Sequence, residues 1–185
     1  MSILNNSLLL GADAGVTEYQ VSRSLRFNSA DSAYLSRTFA SAGTRTTWTW
    51  AGWVKRSSGG AAQYVFSAGL NGATDQGAVR FNSDETLEFF YYNGSYQWQL
   101  NTAQVFRDFS SWYHIVAVYD SNNATANNRI RLYINGLEVT TFSSRVNPSL
   151  GAVDSFNTAS LHRISHASYS TNSGLIFNGY LAGIH

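Results

Sequence analysis

The chain has 185 residues; 44% are hydrophobic, 15% are aromatic and only 12% are charged, and the formal net charge is +1. This hydrophobic content excludes a disordered chain, and the small net charge gives no electrostatic basis for binding nucleic acid or an anionic membrane. The sequence contains no cysteine, which excludes disulfides, thiolate zinc sites and cysteine nucleophiles. The length is that of one domain.

Residues 1–22 alternate only weakly between apolar and polar, and include Leu8, Leu9 and Leu10. Two interpretations stay open for this segment. It is either an arm lying on its own domain or a docking arm that buries the three leucines against a neighbouring subunit. A signal peptide is not predicted, because the segment lacks a basic start and Asn5-Asn6 interrupts its apolar run. No apolar run is long enough to span a bilayer, so membrane insertion is not expected.

Short runs with strand-like alternation follow. They predict strands at 24–28, 33–38, 46–56, 64–67, 77–82, 86–92 and 95–101, with a loop at 70–77. In the run 46–56, Trp48 and Trp50 share one face and are predicted core residues, whereas Trp53 lies on the opposite, more polar face. Trp53 is therefore either a ring covered by a second sheet or loop, or an exposed ring that stacks on sugars.

Aromatic residues gather around the hairpin joining 86–92 to 95–101. Asn93-Gly94 predicts a two-residue turn, and the spacing of Tyr92, Tyr96 and Trp98 predicts that the three rings share a face. Together with Asn93, they are candidates for binding a carbohydrate or a protein partner. The alternative is that they only cover the edge of the sandwich.

The clearest strand pattern lies between Trp112 and Phe142. The run 112–120 is apolar on both faces, which predicts a central strand. In 129–134 apolar and polar residues alternate, and Asn135-Gly136 then predicts a two-residue hairpin turn into a third strand. Later strands are predicted at 161–165 and 175–184. No segment shows sustained helical periodicity, so the predicted fold class is all-β, a two-sheet antiparallel sandwich with almost no helix.

Several of these strands resemble those of the laminin G-like / concanavalin A-like jelly rolls. The resemblance rests on the run W-x-H-I-V-x-x-Y-D at 112–120, the strand ending Y-I-N-G at 133–136, and the segments 24–28, 47–55 and 177–182. The resemblance covers roughly 24–185 and implies a jelly-roll domain at 23–185, with 1–22 as an arm or docking strand. The amino-acid sequence of 24–37 and 47–56 most resembles that of bacteriophage virion proteins. The early stop after the closing strand motif leads us to expect that the native chain continues beyond His185.

The resemblance also implies tests for catalysis and metal. Relatives that hydrolyse glucans carry carboxylates at alternate positions of one strand. Here Thr86 stands between Asp84 and Glu88, so Glu88 is interpreted as a solvated strand residue and no enzymatic activity is expected. Many relatives hold calcium with an acidic pair after the closing strand. Ala182-Gly183 replaces that pair, which disfavours calcium and leaves Asp120 and Asn122 as the remaining candidate ligands. No cofactor is expected.

The resulting hypothesis is a non-enzymatic structural and interaction module of a phage particle, in a tail fibre or a capsid decoration. It would be located in the virion and contact other virion proteins or copies of itself. The alternative hypothesis is a lectin domain that recognises host surface glycans. The fold alone does not separate the two, because the same sandwich serves lectins, adhesins, enzymes and spacers.

Overall fold

The structure is a computed structural model, and it describes residues 22–170 and 175–185. Thirteen strands form two antiparallel sheets of six and seven strands that pack face to face. Short 3-10 turns lie at Ser29–Asp31 and Ala126–Asn128. The predicted all-β jelly-roll sandwich is therefore confirmed.

The six-stranded sheet has the order β1-β13-β3-β8-β9-β10. Its strands are β1 (Leu25–Phe27), β3 (Thr47–Arg56), β8 (Tyr113–Asp120), β9 (Ile130–Ile134), β10 (Leu137–Glu138) and β13 (Gly179–Ala182). The strand β8 lies in the middle, hydrogen-bonded to β3 on one side and to β9 on the other. The predicted run of three antiparallel strands, β8, β9 and β10, is confirmed.

The seven-stranded sheet has the order β11-β7-β6-β5-β4-β12-β2. Its strands are β2 (Leu35–Thr38), β4 (Gln63–Asn71), β5 (Asp75–Phe81), β6 (Thr86–Tyr92), β7 (Tyr96–Val105), β11 (Phe142–Val146) and β12 (Leu161–Ile164). The strands β4 to β7 are consecutive neighbours, so three hairpins bring their side chains into fixed register.

The core lies between the sheets and is rich in aromatic rings. Trp48 and Trp50 both face it, as predicted, and Trp48 stacks on Tyr119 at 5.4 Å between ring centroids. The largest fully buried apolar side chains of the core include Trp98, Tyr119, Phe81, Phe89, Phe106, Phe156, Phe177, Leu87 and Leu100. On β8 the buried positions are Ile115, Ala117 and Tyr119, while His114, Val116 and Val118 are half-buried on the outside.

Three details differ from the sequence prediction. The loop predicted at 70–77 is mostly strand, because β4 runs to Asn71 and β5 begins at Asp75, and these two residues pair across a tight turn. The turn after β6 has three residues, 93–95, rather than two. The segment predicted as one strand up to Phe142 is divided, because β10 ends at Glu138 and β11 joins the other sheet beside β7.

Leu8, Leu9 and Leu10 lie outside the described residues, so the docking-arm prediction stays a prediction. Among the described residues, no helix has the length and apolar character needed to cross a membrane.

Candidate functional site

A charged pair lies on the outer face of the seven-stranded sheet, the face turned away from the other sheet. Strand pairing sets Arg80 of β5 directly opposite Glu88 of β6, and also opposite Tyr64 of β4. Directly opposed residues have Cβ atoms about 4.5–5.5 Å apart, which is close enough for side chains to bond. We call Tyr64, Arg80, Glu88 and Gln99 the Arg80 cluster.

Both carboxylate oxygens of Glu88 have partners within this cluster. The Nε and Nη2 atoms of Arg80 each lie 2.7 Å from Glu88 Oε2. The Nε2 of Gln99 donates to Glu88 Oε1, and Ser144 Oγ in turn donates to Gln99 Oε1 at 2.7 Å. The Glu88 side chain is only 2% exposed. Its prediction as a solvated strand residue is therefore wrong, because the register gives it a buried cationic partner.

The remaining contacts of Arg80 are with tyrosine and phenylalanine. Its Nη1 donates to the hydroxyl of Tyr64 at 2.7 Å, and Tyr64 lies 3.1 Å from Gln76 Oε1 and 3.3 Å from the hydroxyl of Tyr169. The guanidinium carbon lies 4.6 Å from the centre of the Phe90 ring. The cluster is thus held by hydrogen bonds between side chains of neighbouring strands and by contacts of Arg80 with aromatic rings.

The surroundings of the cluster shift its titrations. Burial raises the pKa of Tyr64, and burial together with the charge of Glu88 raises the pKa of Tyr96. For Arg80, burial lowers the pKa, but the neighbouring Tyr64 and Glu88 more than offset this effect, so its pKa is raised overall. At neutral pH the two tyrosines are therefore neutral hydrogen-bonding groups and Arg80 is charged.

Tyr92 and Tyr96 stand at the solvent side of the cluster. Their rings meet edge to face at 5.3 Å between centroids, and Tyr96 also packs against Phe90 at 5.7 Å. Tyr96 is 37% exposed, Tyr92 is half-buried and its hydroxyl donates to the carbonyl of Gly94, and Asn93 is exposed at the turn. The structure therefore brings together three of the predicted site residues, Tyr92, Asn93 and Tyr96.

Trp98 does not join them, and its prediction as a surface site residue is wrong. Its side chain is fully buried in the core, against Phe89 at 4.5 Å and Tyr119 at 5.2 Å between ring centroids. The reason is a β-bulge in β7. Tyr91 pairs with Trp98 and Tyr92 pairs with Tyr96, so Gln97 has no partner across the strand. The local kink leaves Tyr96 on the outer face although its alternation partner Trp98 faces inward.

Trp53 lies on the opposite side of the molecule, on the outer face of the six-stranded sheet. It pairs across the strands with His114, and their rings are 4.9 Å apart. The side chain is half-buried, so neither a fully covered nor a fully exposed ring describes it. Trp53 therefore does not belong to the same surface as Tyr92, Asn93 and Tyr96.

The candidate metal ligands are already used by neighbouring groups. Asp120 accepts from Asn123 Nδ2 at 3.4 Å and from Thr47 Oγ1 at 3.5 Å, while the amide of Asn122 donates to Thr46 Oγ1 at 3.1 Å. Within 22–170 and 175–185, no group of three or more His, Cys, Asp or Glu side chains gathers as a metal site would require.

The carboxylates near the turn 82–85 point to separate partners. Asp84 accepts from the backbone and hydroxyl of Thr86 and so stabilises the turn, and these bonds lower its pKa. Glu85 pairs with the buried Arg56 at 2.5 Å, on a different side of the strand from Glu88. Asp84 therefore stabilises the turn and Glu85 forms an ion pair with Arg56, and neither shares a bonding partner with Glu88.

Three residues of the cluster, Arg80, Gln99 and Tyr64, were not predicted from the sequence. A signal for the first was present, because the pairing of β5 with β6 is symmetrical about Asp84. Counting four residues outward from Asp84 in each direction reaches Arg80 and Glu88, two opposite charges directly across the hairpin. Gln99 was not visible in this way, since the bulge at Gln97 shifts the register of β7.

The arrangement combines an exposed ring with a rigid set of buried polar groups. Aromatic faces pack against the apolar faces of ligands, and fixed hydroxyl and amide groups orient polar ones. The surface can therefore offer stacking and hydrogen bonds to a ligand.

Solved structures of similar fold include carbohydrate-binding proteins. The chain is similar to domains LG4-5 of the mouse laminin alpha1 chain (TM-score 0.62, 10% identity, covering 96% of this chain and 46% of that chain). It is also similar to a putative carbohydrate binding protein from Bacteroides ovatus (TM-score 0.56, 12% identity, 82% of this chain and 40% of that chain). A third is the CBM40 of Ruminococcus gnavus IT-sialidase bound to alpha2,3 sialyllactose (TM-score 0.53, 12% identity, 82% of this chain and 90% of that chain).

The chain spans less than half of the mouse and Bacteroides chains. No curated protein matches the sequence. The sequence model of the Concanavalin A-like lectin/glucanases superfamily matches residues 27–182, most of the chain, and this protein therefore belongs to that superfamily.

Proposed function

We propose that this protein is a carbohydrate-binding domain, and that its glycan site is the surface formed by Tyr92, Asn93 and Tyr96 above the Arg80 cluster. The observation that carries the proposal is the exposed ring of Tyr96 beside a buried, hydrogen-bonded polar cluster on the outer face of the seven-stranded sheet. A sugar has apolar C–H faces and polar hydroxyl edges, so it needs an aromatic surface and fixed polar groups at the same place.

The rigidity of the cluster supports this proposal. Glu88, Arg80 and Gln99 lie on adjacent strands in the middle of the sheet, and each fixes the rotamer of the next through a hydrogen bond. A site on paired strands holds its groups more accurately than one on loops. The exposed amides of Asn93 and Gln97 at the neighbouring turn add hydrogen-bonding groups at the rim.

The similar structures give a second, coarser support. A domain of similar fold from Ruminococcus gnavus was solved with a bound oligosaccharide, and the similar Bacteroides protein is described as carbohydrate binding. At 12% identity these likenesses establish the fold alone, so the position of the site rests on the residues of this chain.

The test is glycan binding by matched aromatic variants. Tyr96→Ala removes the exposed ring of the proposed site, and Trp53→Ala removes a half-exposed ring from the other sheet. On a glycan array and by isothermal titration, we expect the wild-type domain to bind at least one oligosaccharide. Tyr96→Ala should weaken that binding at least tenfold, while Trp53→Ala should leave it within twofold. Binding that is lost in Trp53→Ala and kept in Tyr96→Ala would contradict the proposal.

A second candidate function is docking to other proteins, favoured by the outer face of the six-stranded sheet. Trp112 and Tyr180 are 37% and 36% exposed there, and Val116 and Val118 beside Trp53 are half-buried. Apolar and aromatic groups on a sheet face are typical of interfaces. A phage-particle role and a non-enzymatic nature remain predictions. Electron microscopy of particles labelled with an antibody to this domain tests the first, and assays for oligosaccharide hydrolysis test the second.

A further inference from the structure

The single cation in the proposed glycan site is paired with an internal anion. Arg80 uses Nε and Nη2 on Glu88 and Nη1 on Tyr64. The other side chains in contact with this pair are uncharged: Tyr64, Phe90 and Gln99. The formal charges of the pair sum to zero, so the cluster formed by these described side chains offers no unpaired positive charge to an acidic sugar.

We propose that this site selects neutral glycans and discriminates against glycans that carry a sialic or uronic acid, because Glu88 occupies the position on Arg80 that a ligand carboxylate would need. The inference rests on the proposed glycan site and names the class of sugar that it takes.

Glu88 cannot make room by turning away into solvent. Its side chain is 2% exposed, and its second oxygen accepts from Gln99, which Ser144 holds in place. The guanidinium is similarly confined, because Phe90 lies beneath it at 4.6 Å and Tyr64 accepts from its Nη1. Displacing either side chain would leave a charged group buried without its partner, which is strongly unfavourable.

A carboxylate brought beside Arg80 would therefore meet Glu88 as a like charge. Like charges facing each other across an interface are a common means of rejecting a wrong ligand. A neutral sugar meets no such repulsion, since its hydroxyls neither add charge nor require an unpaired cation. The selectivity would come from Glu88, although Glu88 itself is too buried to be a main contact of the ligand.

The experiment compares each neutral oligosaccharide with its acidic counterpart, lactose and alpha2,3 sialyllactose being one such pair. The wild-type domain should bind the neutral member at least tenfold more tightly wherever a pair binds. Glu88→Gln keeps the size and a carbonyl oxygen of the side chain but leaves Arg80 without its anion. That variant should shift the ratio of affinities toward the acidic member by at least tenfold.

A double variant serves as the control. Arg80→Gln combined with Glu88→Gln removes both charges, so it should lack the gain in affinity for acidic sugars that Glu88→Gln alone shows. Thermal unfolding of each variant establishes that it is folded. If Glu88→Gln does not fold, the test is the ratio of the wild-type affinities for the neutral and acidic members of each pair. Equal or tighter binding of the acidic members overturns the inference.

The outcomes also separate this inference from the function on which it rests. Binding that depends on Tyr96 but shows the same affinity for neutral and acidic members would keep the glycan site and overturn the selectivity. An unchanged ratio in a folded Glu88→Gln would do the same. Absence of any glycan binding by the wild-type domain would overturn both.

Discussion

At the scale of single residues, the charged pair on the outer sheet face has a large desolvation cost for a small domain. Arg80 and Glu88 are largely buried, with 19% and 2% of their side chains exposed. Taking both charges out of water costs free energy that their attraction only partly returns. Such a pair is kept more readily where it positions neighbouring groups than where it only adds stability. Its position under Tyr92 and Tyr96 fits that role.

Asp154, in the segment between β11 and β12, is the most strongly perturbed acid. It is 1% exposed, and burial raises its pKa to about 8, although a bond from the Phe156 amide and the charge of Arg45 act in the other direction. The folded protein thus keeps this proton up to a pH near 8, whereas an unfolded chain releases it near pH 4. The unfolded state binds fewer protons in between, so this group lowers the free energy of unfolding as pH rises from about 4 to 8.

Asp154→Asn removes this titration. Because the wild-type carboxyl ionises in the unfolded chain but stays protonated in the folded protein over this range, the variant should gain stability relative to wild type as pH rises from 5 to 8. Urea unfolding of both proteins at these two pH values measures the difference. Asp108→Asn is the control. Hydrogen bonds from Ser110 and Ser111 lower the pKa of Asp108 to about 2. Its titration therefore changes the free energy of unfolding only below about pH 4. An identical pH slope for wild type and Asp154→Asn would contradict the assignment.

Trp98 and Tyr96, two residues apart, should differ strongly in their effect on stability. Trp98→Ala opens a cavity among Phe89, Tyr119 and the rest of the core, at a cost of about 3–5 kcal/mol. Tyr96→Ala removes an exposed ring with two edge contacts and should cost about 1 kcal/mol. Chemical denaturation of both variants measures this contrast. Similar losses of stability in the two variants would mean that both rings lie in the same environment, which would contradict the β-bulge in β7.

At the scale of elements, alternation and turn residues explain most of what the sequence could predict. The strands β8 and β9 alternate regularly, and Asn135-Gly136 has positive φ at both residues, as the predicted two-residue turn requires. Alternation failed at β7, because a bulge inserts a residue that has no sequence signature of its own. The prediction that Tyr92 and Tyr96 share a face is therefore confirmed, whereas Trp98 was misplaced and Gln99 was not predicted to lie beside them.

The predicted turn between β9 and β10 gives a direct test of backbone conformation. Gly136 has φ +81°, and a Cβ added there would meet no atom within 4 Å. Gly136→Ala should therefore destabilise the domain by about 1–2 kcal/mol through the left-handed backbone alone. Gly43 is the control, because it lies outside the left-handed region and its added Cβ would make an ordinary 3.7 Å contact with Asn157. If thermal unfolding shows equal losses for Gly136→Ala and Gly43→Ala, the conformational explanation fails.

At the scale of the whole molecule, the two outer faces of the sandwich differ in chemistry. The seven-stranded sheet carries the Arg80 cluster with Tyr92 and Tyr96, and the six-stranded sheet carries Trp53, His114 and half-buried valines. Trp53 and the hairpin aromatics were both predicted as candidates, but their location on opposite faces was not, because assigning strands to sheets requires the pairing of distant segments. The predicted site therefore contained residues from both sides of the molecule.

Calcium should have little effect on this domain. A site occupied at a hundred times its dissociation constant would raise the free energy of unfolding by about 2.7 kcal/mol, or roughly 5–10 °C in melting temperature. The described residues gather no acidic group of that kind, and Asp120 and Asn122 are bonded to their neighbours. Melting with millimolar calcium and with chelator should agree to within about a degree. A shift of several degrees that chelator reverses would contradict this expectation.

The central claim is that glycans bind to the outer face of the seven-stranded sheet at Tyr96, and backbone amide chemical-shift mapping tests it most directly. An oligosaccharide that binds on the array is titrated into the isotope-labelled domain. We predict that the largest shifts fall in β5, β6 and β7, around residues 76–80, 88–97 and 99. Shifts concentrated instead on β3, β8 and β13, around Trp53 and His114, would contradict the account.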